Sequence, residues 1–292
     1  MHPAPSVIIF TALSGLGFGL IFWMGLGLPH ISGMVVTSVF ALMGLGLATI
    51  GLLASTFHLG NPQRAWRALS QWRTSWLSRE GILAVLTLAV FFVYACLWAF
   101  LDMRIAPLGW LSSALAMATV YTTSMIYAQM KTVPRWNTVL TTVLFLLYAA
   151  AGGALLAAQM HLAGVLLALL AVVQVLAWKQ GDGAFASAGH SIETATGLTG
   201  LGKVRLLEKP HSGTNYLMKE MIHVVGRKHA AKLRVISILL VAILPATFIL
   251  LSDVGHWAGL VIVVVHVAGL FAARWLFFAE AEHVVGLYYD QR

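Results

Sequence analysis

A histidine and a glutamate, His58 and Glu80, enclose a segment that concentrates polar chemistry in an otherwise apolar chain. Between them lie four arginines and three tryptophans: Arg64, Arg67, Arg73, Arg79, Trp66, Trp72 and Trp76. Imidazole and carboxylate groups exchange protons, and arginines donate hydrogen bonds. Because quinone reduction takes two electrons and two protons, this set of residues suits quinone chemistry if it lies at a membrane boundary with access to water.

Each of these residues also has a purely structural interpretation. Tryptophans gather at the headgroup level of membrane proteins, and arginines accumulate in their cytoplasmic loops. Glu80 would complement the dipole at the start of a helix, and His58 would end a helix as a hydrogen-bonded histidine. The residues alone leave both interpretations open.

The composition is that of a polytopic membrane protein. Of the 292 residues, 60% are apolar and 10% are charged, whereas soluble domains carry about 25% charged residues. Apolar stretches long enough to cross about 30 Å of hydrocarbon recur along the chain. They predict an all-α integral membrane protein, a single polytopic domain over 1–292, with eight transmembrane helices at 7–28, 34–57, 80–101, 107–130, 137–158, 161–178, 233–252 and 256–278.

The distribution of positive charge predicts the orientation. The loops after the second, fourth and sixth spans, together with the C-terminal end, contain 17 of the 18 Lys and Arg residues, and the opposite side keeps only Arg104. Basic residues favour the cytoplasmic side of a membrane. We therefore expect both termini and the basic loops to be cytoplasmic, and the net charge of +8 requires no nucleic acid as a partner.

Local signals predict how the polar segment is built. The second span ends near His58, and Asn61 is a suitable N-cap for a short helix that begins at Pro62. The apolar stripe of this helix consists of Ala65, Leu69, Trp72 and Trp76. We expect an interfacial helix with its tryptophans at headgroup depth. Ser78 is expected to cap the third span, with Glu80 in its first turn, so that His58 and Glu80 lie at the same membrane boundary.

A long cytoplasmic loop is expected at 179–232, between the sixth and seventh spans. Its second half, NYLMKEMIHVVGRKHAAKLR, has the pattern of an amphipathic helix. Such a helix either lies on anionic lipid or offers a docking surface to a soluble partner. The residues assigned to partner docking are Arg67 in the interfacial helix, Arg79 at the start of the third span, and Lys219, Arg227 and Lys228 in the long loop.

Few residues could hold a cofactor. The single cysteine, Cys96, cannot hold an iron–sulfur cluster or a structural zinc site, and we predict no metal site. His161 and His256 would ligate a b-type haem only if their helices faced each other, so a haem is the less favoured alternative.

Other intramembrane features are sparse. His266 lies in the middle of the eighth span, and Arg274 clusters with Glu280 and Glu282 near its end. The glycine-rich first and second spans have no βαβ context, so they predict close helix packing rather than dinucleotide binding.

Four runs of sequence together resemble the membrane-anchor subunits of dimethyl sulfoxide reductases: FHLGNPQRAWRALSQWRTSWLSREG, MHPAPSVIIFTALSGLGFGL, MIYAQMKTVPRW and NYLMKEM…VGRKHAAKLR. The resemblance covers essentially the whole chain. It implies a haem-free anchor in the bacterial inner membrane for a four-cluster ferredoxin-like iron–sulfur subunit and a molybdopterin catalytic subunit, which carry the clusters and the molybdenum cofactor. It also implies electron exchange with a quinone, either ubiquinone or menaquinone, at His58 and Glu80, with Arg64 and Arg73 in the same motif. We assign Arg64, Arg73 and Trp76 as further quinone-binding residues.

The expected orientation bears on the reaction. In the sulfoxide reductases of this family the catalytic subunits face the periplasm, on the side of the polar motif, whereas that side is expected to be cytoplasmic here. This orientation is similar to that of the cytoplasm-facing relatives that oxidise sulfite and reduce quinone. The leading hypothesis is a quinone-reducing anchor that serves sulfite oxidation, with no sulfite site in this chain. The alternatives are a quinol-oxidising sulfoxide reductase anchor, a non-catalytic scaffold, and a solute transporter, which would more often carry charges or broken helices at the midplane.

Overall fold

The computed structural model describes residues 3–58, 61–208, 213 and 229–289, without the side chains of His58 and Pro62. Over these residues the chain is helical and contains no strand, which confirms the predicted class. Its α-helices are α1 Pro5–Gly25, α2 Met34–Ala54, α3 Trp76–Leu101, α4 Ala106–Ala128, α5 Val139–Leu156, α6 Met160–Ser187, α7 Ile192–Thr196, α8 Ala230–Leu251, which contains a π-turn, and α9 His256–Ala279. The docking candidates Lys219, Arg227 and Lys228 lie outside the described residues.

Seven of these helices are long and apolar enough to cross a membrane, namely α1, α2, α3, α5, α6, α8 and α9. The helix α4 has 23 residues, but its interior is rich in hydroxyl groups, with Ser112, Ser113, Thr119, Thr122 and Thr123 buried. The count of eight spans therefore remains a prediction, because the hydroxyls that α4 turns inward lower its hydropathy.

Two helix boundaries differ from the prediction by four residues or more. The third long helix begins at Trp76 rather than at residue 80, and the sixth continues to Ser187 rather than ending at residue 178. The polar residues that suggested a loop after 178 are satisfied by neighbours: Gln180 accepts a hydrogen bond from Thr138 (3.0 Å), and Asp182 pairs with arginines. The first part of the predicted long loop is therefore helical.

Small residues hold α1 in the centre of the bundle. A Cβ atom on Gly17 would overlap the backbone nitrogen of Ala48 in α2, and one on Gly19 would overlap the carbonyl oxygen of Ala149 in α5. Without side chains at these points the helix backbones approach within direct contact. The predicted role of the glycines in close helix packing is confirmed.

We call one end of the bundle the basic end. It is formed by the C-terminal ends of α2, α4, α6 and α9 and the N-terminal ends of α1, α3, α5 and α8. The segment after α9 is attached there, because the backbone nitrogen of Val284 donates to the carbonyl of Thr132 (3.0 Å). At the opposite end Arg104 donates to the carbonyl of Ile31.

Candidate functional site

Ser75 determines where α3 begins. Its side chain accepts a hydrogen bond from the backbone nitrogen of Ser78 (3.4 Å), so the first helical residue is Trp76. The prediction that Ser78 caps this helix is wrong, since the buried Ser78 hydroxyl instead donates to the carbonyl of Ala68. Glu80 consequently lies in the second turn of α3, deeper than the first turn predicted for it.

Glu80 is buried against α4, with only 3% of its surface exposed. Thr123 Oγ1 donates a hydrogen bond of 2.6 Å to its Oε1 atom. In the described part of the chain no basic side chain lies within 4.0 Å of this carboxylate. A helix dipole alone does not account for a carboxylate buried in this way, because burial without a cation disfavours the charged form. The group is therefore suited to holding a proton.

The segment 62–75, which we call the interfacial segment, packs on the start of α3. It contains the 3₁₀-helix Pro62–Gln71 where a short helix beginning at Pro62 was expected. A Cβ atom on Gly81 would lie 2.7 Å from Leu69 Cδ2, which shows how closely the two elements approach. Arg79 fastens the end of the segment, because its guanidinium donates to the carbonyls of Trp72 (2.9 Å) and Arg73 (2.7 Å).

The remaining predicted residues of the segment face outward. Arg64, Arg67 and Arg73 are exposed, as are Trp66 and Trp72. Each tryptophan carries an arginine over its ring: Arg67 lies 5.4 Å from the Trp66 centroid, and Arg73 lies 5.4 Å from that of Trp72. The segment thus presents a basic and aromatic surface at the basic end of the bundle.

The structure brings Trp76 and Arg79 into contact, but Arg64, Arg73 and Arg79 all lie more than 4.0 Å from the Glu80 carboxylate. Trp76 is half-buried, lies beneath the Arg79 guanidinium at 4.3 Å and meets the Tyr121 ring edge-to-face at 5.9 Å. The backbone of His58 ends the 3₁₀-helix Ser55–His58, while the position of its side chain lies outside what is described.

A second polar cluster, the ion-pair network of Arg135, Asp182, Arg234 and Glu280, joins four separate parts of the chain at the basic end. The carboxylate oxygen Oδ1 of Asp182 forms ion pairs with the guanidinium groups of Arg135 (2.6 Å) and Arg234 (2.5 Å). The Glu280 side chain is 4% exposed. Its carboxylate forms ion pairs with the guanidinium groups of Arg234 (2.6 Å) and Arg135 (3.6 Å). Two positive and two negative charges therefore balance within it.

Two ionisable side chains of α9 lie deeper than this network. His266 is 1% exposed and donates from Nδ1 to the carbonyl of Val241 (2.7 Å), in the π-turn of α8. Arg274 is 3% exposed and lies over the rings of Phe145 (4.0 Å) and Tyr148 (4.8 Å). Neither side chain belongs to the predicted quinone site.

Sequence reasoning did not single out Thr123, Asp182 or Arg234. The run TTS at 122–124 inside an apolar helix was an available signal for Thr123, since hydroxyls inside membrane helices tend to bond across helices. Asp182 and Arg234 are 52 positions apart, and no spacing rule joins them. Over the described residues, no group of three or more His, Cys, Asp or Glu side chains could hold a metal ion.

These features define a multi-span helical membrane protein with a buried carboxylate near one membrane boundary. The chain belongs to the DMSO reductase anchor subunit (DmsC) family, whose sequence profile matches residues 1–279. This confirms the resemblance drawn from its motifs and makes the chain a membrane anchor of an oxidoreductase complex.

Two curated relatives are similar to it. A sulfite dehydrogenase subunit of Allochromatium vinosum is 33% identical over 327 aligned residues, covering 99% of each chain. Anaerobic dimethyl sulfoxide reductase chain YnfH of Escherichia coli is 30% identical over 164 aligned residues, covering 52% of this chain and 55% of the relative. No solved structure matches the chain significantly.

Proposed function

We propose that this chain is the quinone-reducing anchor of a heterotrimeric molybdopterin oxidoreductase that oxidises sulfite to sulfate. The observation that carries the quinone role is the burial of Glu80 at the start of a membrane span, with a hydrogen bond from Thr123 and no described cation beside it. Similarity over 99% of both chains to a subunit of a sulfite dehydrogenase supports the substrate class.

The reaction divides between subunits. At the partner catalytic subunit, sulfite and water yield sulfate, two protons and two electrons, and the iron–sulfur partner carries the electrons to the anchor. A membrane quinone, ubiquinone or menaquinone, supplies the acceptor of two electrons and two protons. In this chain Glu80 holds a proton on its carboxyl group, Thr123 orients that group, and His58 serves as the second proton-exchanging residue.

The other predicted residues take supporting roles in this proposal. Arg64 and Arg73 of the interfacial segment, together with Trp76 at the start of α3, bind the quinone headgroup. Arg67, with Lys219, Arg227 and Lys228 of the long loop, docks the iron–sulfur partner. Arg79 was assigned to docking from the sequence, but its bonds to two backbone carbonyls support a positioning role at the start of α3.

Glu80→Gln and His58→Ala in the intact complex test the quinone role. We expect sulfite-dependent reduction of a short-chain quinone analogue to fall at least about tenfold, as for loss of a general acid or base. Reduction of a dye that takes electrons from the soluble subunits should stay unchanged. Glu208→Gln, at an exposed glutamate, is the matched control. Normal quinone reduction in both site variants would favour the non-catalytic scaffold.

The orientation is a separate part of the proposal. Both termini and the catalytic partners are assigned to the cytoplasmic side of the inner membrane, because the basic end carries the positive loops. A C-terminal reporter should be active in the cytoplasm. Activity only in the periplasm would favour a quinol-oxidising anchor of the sulfoxide reductase type. The Escherichia coli relative YnfH, which aligns with 52% of this chain, is a dimethyl sulfoxide reductase chain.

A further inference from the structure

Arg274 is a buried cation without an anionic partner. It lies near the end of α9 and is 3% exposed. In the described part of the chain its Nε atom has no hydrogen-bond acceptor, and no carboxylate lies within 4.0 Å of the guanidinium. The two aromatic faces at 4.0 and 4.8 Å attract it weakly compared with an anion. An arginine stays charged, so this site is short of one negative charge.

The guanidinium lines a cavity that opens toward the ion-pair network. The cavity encloses about 50 Å³, which is room for several water-sized groups at roughly 10–15 Å³ each. Its polar lining includes Arg135, Thr138, Thr141, Gln174, Arg274 and Glu280, together with Tyr148, Trp136 and Trp178. The Tyr148 hydroxyl donates to Gln174 Oε1 (2.8 Å), which leaves the amide NH₂ group of Gln174 as a further donor.

The charges around the cavity select an anion. Asp182 and Glu280 are already paired with Arg135 and Arg234, so the network is neutral and Arg274 leaves a net charge of +1. The cavity lies between α5, α6 and α9 and reaches Arg135 and Glu280 at the basic end of the bundle. A planar guanidinium fork matches the oxygens of a phosphate group, and basic pockets between membrane helices bind anionic headgroups.

We propose that the Arg274 cavity binds a phosphate group, carried by an anionic phospholipid or present as free phosphate. The bound oxygens accept hydrogen bonds from Arg274 and from the Gln174 amide. The site is separate from Glu80 and goes beyond the quinone role, since it requires no electron transfer.

Two binding measurements on the purified, delipidated complex distinguish the two sources. Native mass spectrometry counts bound phosphatidylglycerol, with phosphatidylcholine as the zwitterionic comparison. Equilibrium dialysis measures binding of radiolabelled inorganic phosphate. We expect the wild-type complex to bind at least one phosphatidylglycerol or one phosphate ion per chain. We expect Arg274→Gln to bind one fewer per chain. Arg104→Gln, at the opposite end of the bundle, is the matched control and should retain the wild-type number.

A second variant keeps the proposal testable if Arg274→Gln fails to assemble. Ala177→Leu fills the cavity, which Ala177 lines, while leaving every charge in place, and it should also lose the ligand. Loss of phosphatidylglycerol identifies a lipid source, and loss of inorganic phosphate alone identifies free phosphate. The proposal would be overturned if Arg274→Gln or Ala177→Leu bound phosphatidylglycerol and inorganic phosphate at the wild-type level. It would also be overturned if the wild-type complex bound neither ligand.

Discussion

The hydroxyl of Thr123 in α4 donates a hydrogen bond of 2.6 Å to the carboxylate of Glu80 in α3. Both side chains are buried, at 5% and 3% exposure, so their contact is sheltered from competing water. Deeper in the bundle, Thr87 and Thr119 bond across the same pair of helices at 3.0 Å. The polar inner face of α4 thus provides the hydrogen-bond partner that allows Glu80 to enter the bundle.

Replacing Thr123 with valine should impair the site without removing Glu80. Valine keeps the shape but removes the donor, which costs about 1–3 kcal/mol when the acceptor stays buried. We expect quinone-coupled turnover to fall about five- to fiftyfold while dye-coupled turnover persists. Thr123→Ser, which restores a hydroxyl, should recover most of the activity, and equal activity in the serine and valine variants would contradict the role given to this bond.

Replacing Arg79 with methionine should loosen the interfacial segment. Methionine retains an unbranched chain but cannot donate to the carbonyls of Trp72 and Arg73. We expect faster amide hydrogen exchange in residues 62–75 and little change elsewhere. Arg67→Met is the comparison, because the exposed Arg67 guanidinium lies over the neighbouring Trp66 ring and forms no hydrogen bond to a backbone carbonyl among the described residues. Equal exchange in the two variants would show that Arg79 does not fasten the segment.

Replacing Glu280 with glutamine should destabilise the bundle by about 2 kcal/mol. The figure lies below the 3–5 kcal/mol typical of a broken buried pair, because the partner arginines are 15% and 22% exposed. Thermal unfolding of the chain in detergent measures the change, with Glu208→Gln as the control. In a double-mutant cycle with Arg234→Gln, a coupling energy near zero would show that the ion pair contributes nothing.

Replacing Gly19 with alanine should prevent tight assembly of the bundle. The added methyl group would overlap the Ala149 carbonyl in α5, and overpacking of this kind costs about 1–3 kcal/mol or more. Gly15→Ala, in the same helix, meets no atom within 4 Å and should leave the yield and the unfolding temperature unchanged. Comparable losses in both variants would contradict the close approach of α1 and α5.

Acid should loosen the segment that follows α9. Burial lowers the pKa of His283, and the neutral ring accepts a hydrogen bond at Nδ1 from the backbone of Val285 (3.0 Å). The folded state therefore binds fewer protons, and this contribution to stability is present above about pH 6.5 and declines as the pH falls below that value. The hydrogen-exchange protection factors of Val284–Tyr289, which are corrected for the intrinsic pH dependence of amide exchange, should fall between about pH 6.5 and 5, and His283→Gln should remove this dependence.

The apolar runs predicted most of the helices because length and hydropathy are local properties. The expected spans 34–57, 107–130 and 256–278 correspond to Met34–Ala54, Ala106–Ala128 and His256–Ala279. The expected start at residue 80 was wrong because Arg79 and Glu80 look like the border of a span. In the folded chain Arg79 bonds to backbone carbonyls and Glu80 bonds to Thr123, so the helix begins earlier.

The pairing of side chains that are distant in sequence could not be predicted from the sequence. The motif directed attention to Glu80 but not to Thr123, because their contact depends on how α3 packs against α4. Arg274 and Glu280 were recognised as neighbours in sequence, yet they have different environments: Glu280 is paired with Arg234, whereas Arg274 lies against aromatic rings. Whether a charge is compensated is decided by the tertiary structure and not by its neighbours in sequence.

The ion-pair network also affects how the basic end appears to an approaching molecule. Arg135 and Arg234 count toward the positive loops, but Asp182 and Glu280 cancel their charge within a few ångströms. The long-range attraction of an acidic protein surface must then come from exposed cations such as Arg64, Arg67 and Arg73. Moderate salt should therefore slow encounter with a soluble partner while leaving the cohesion of the helix ends largely intact, because screening acts most on exposed charges.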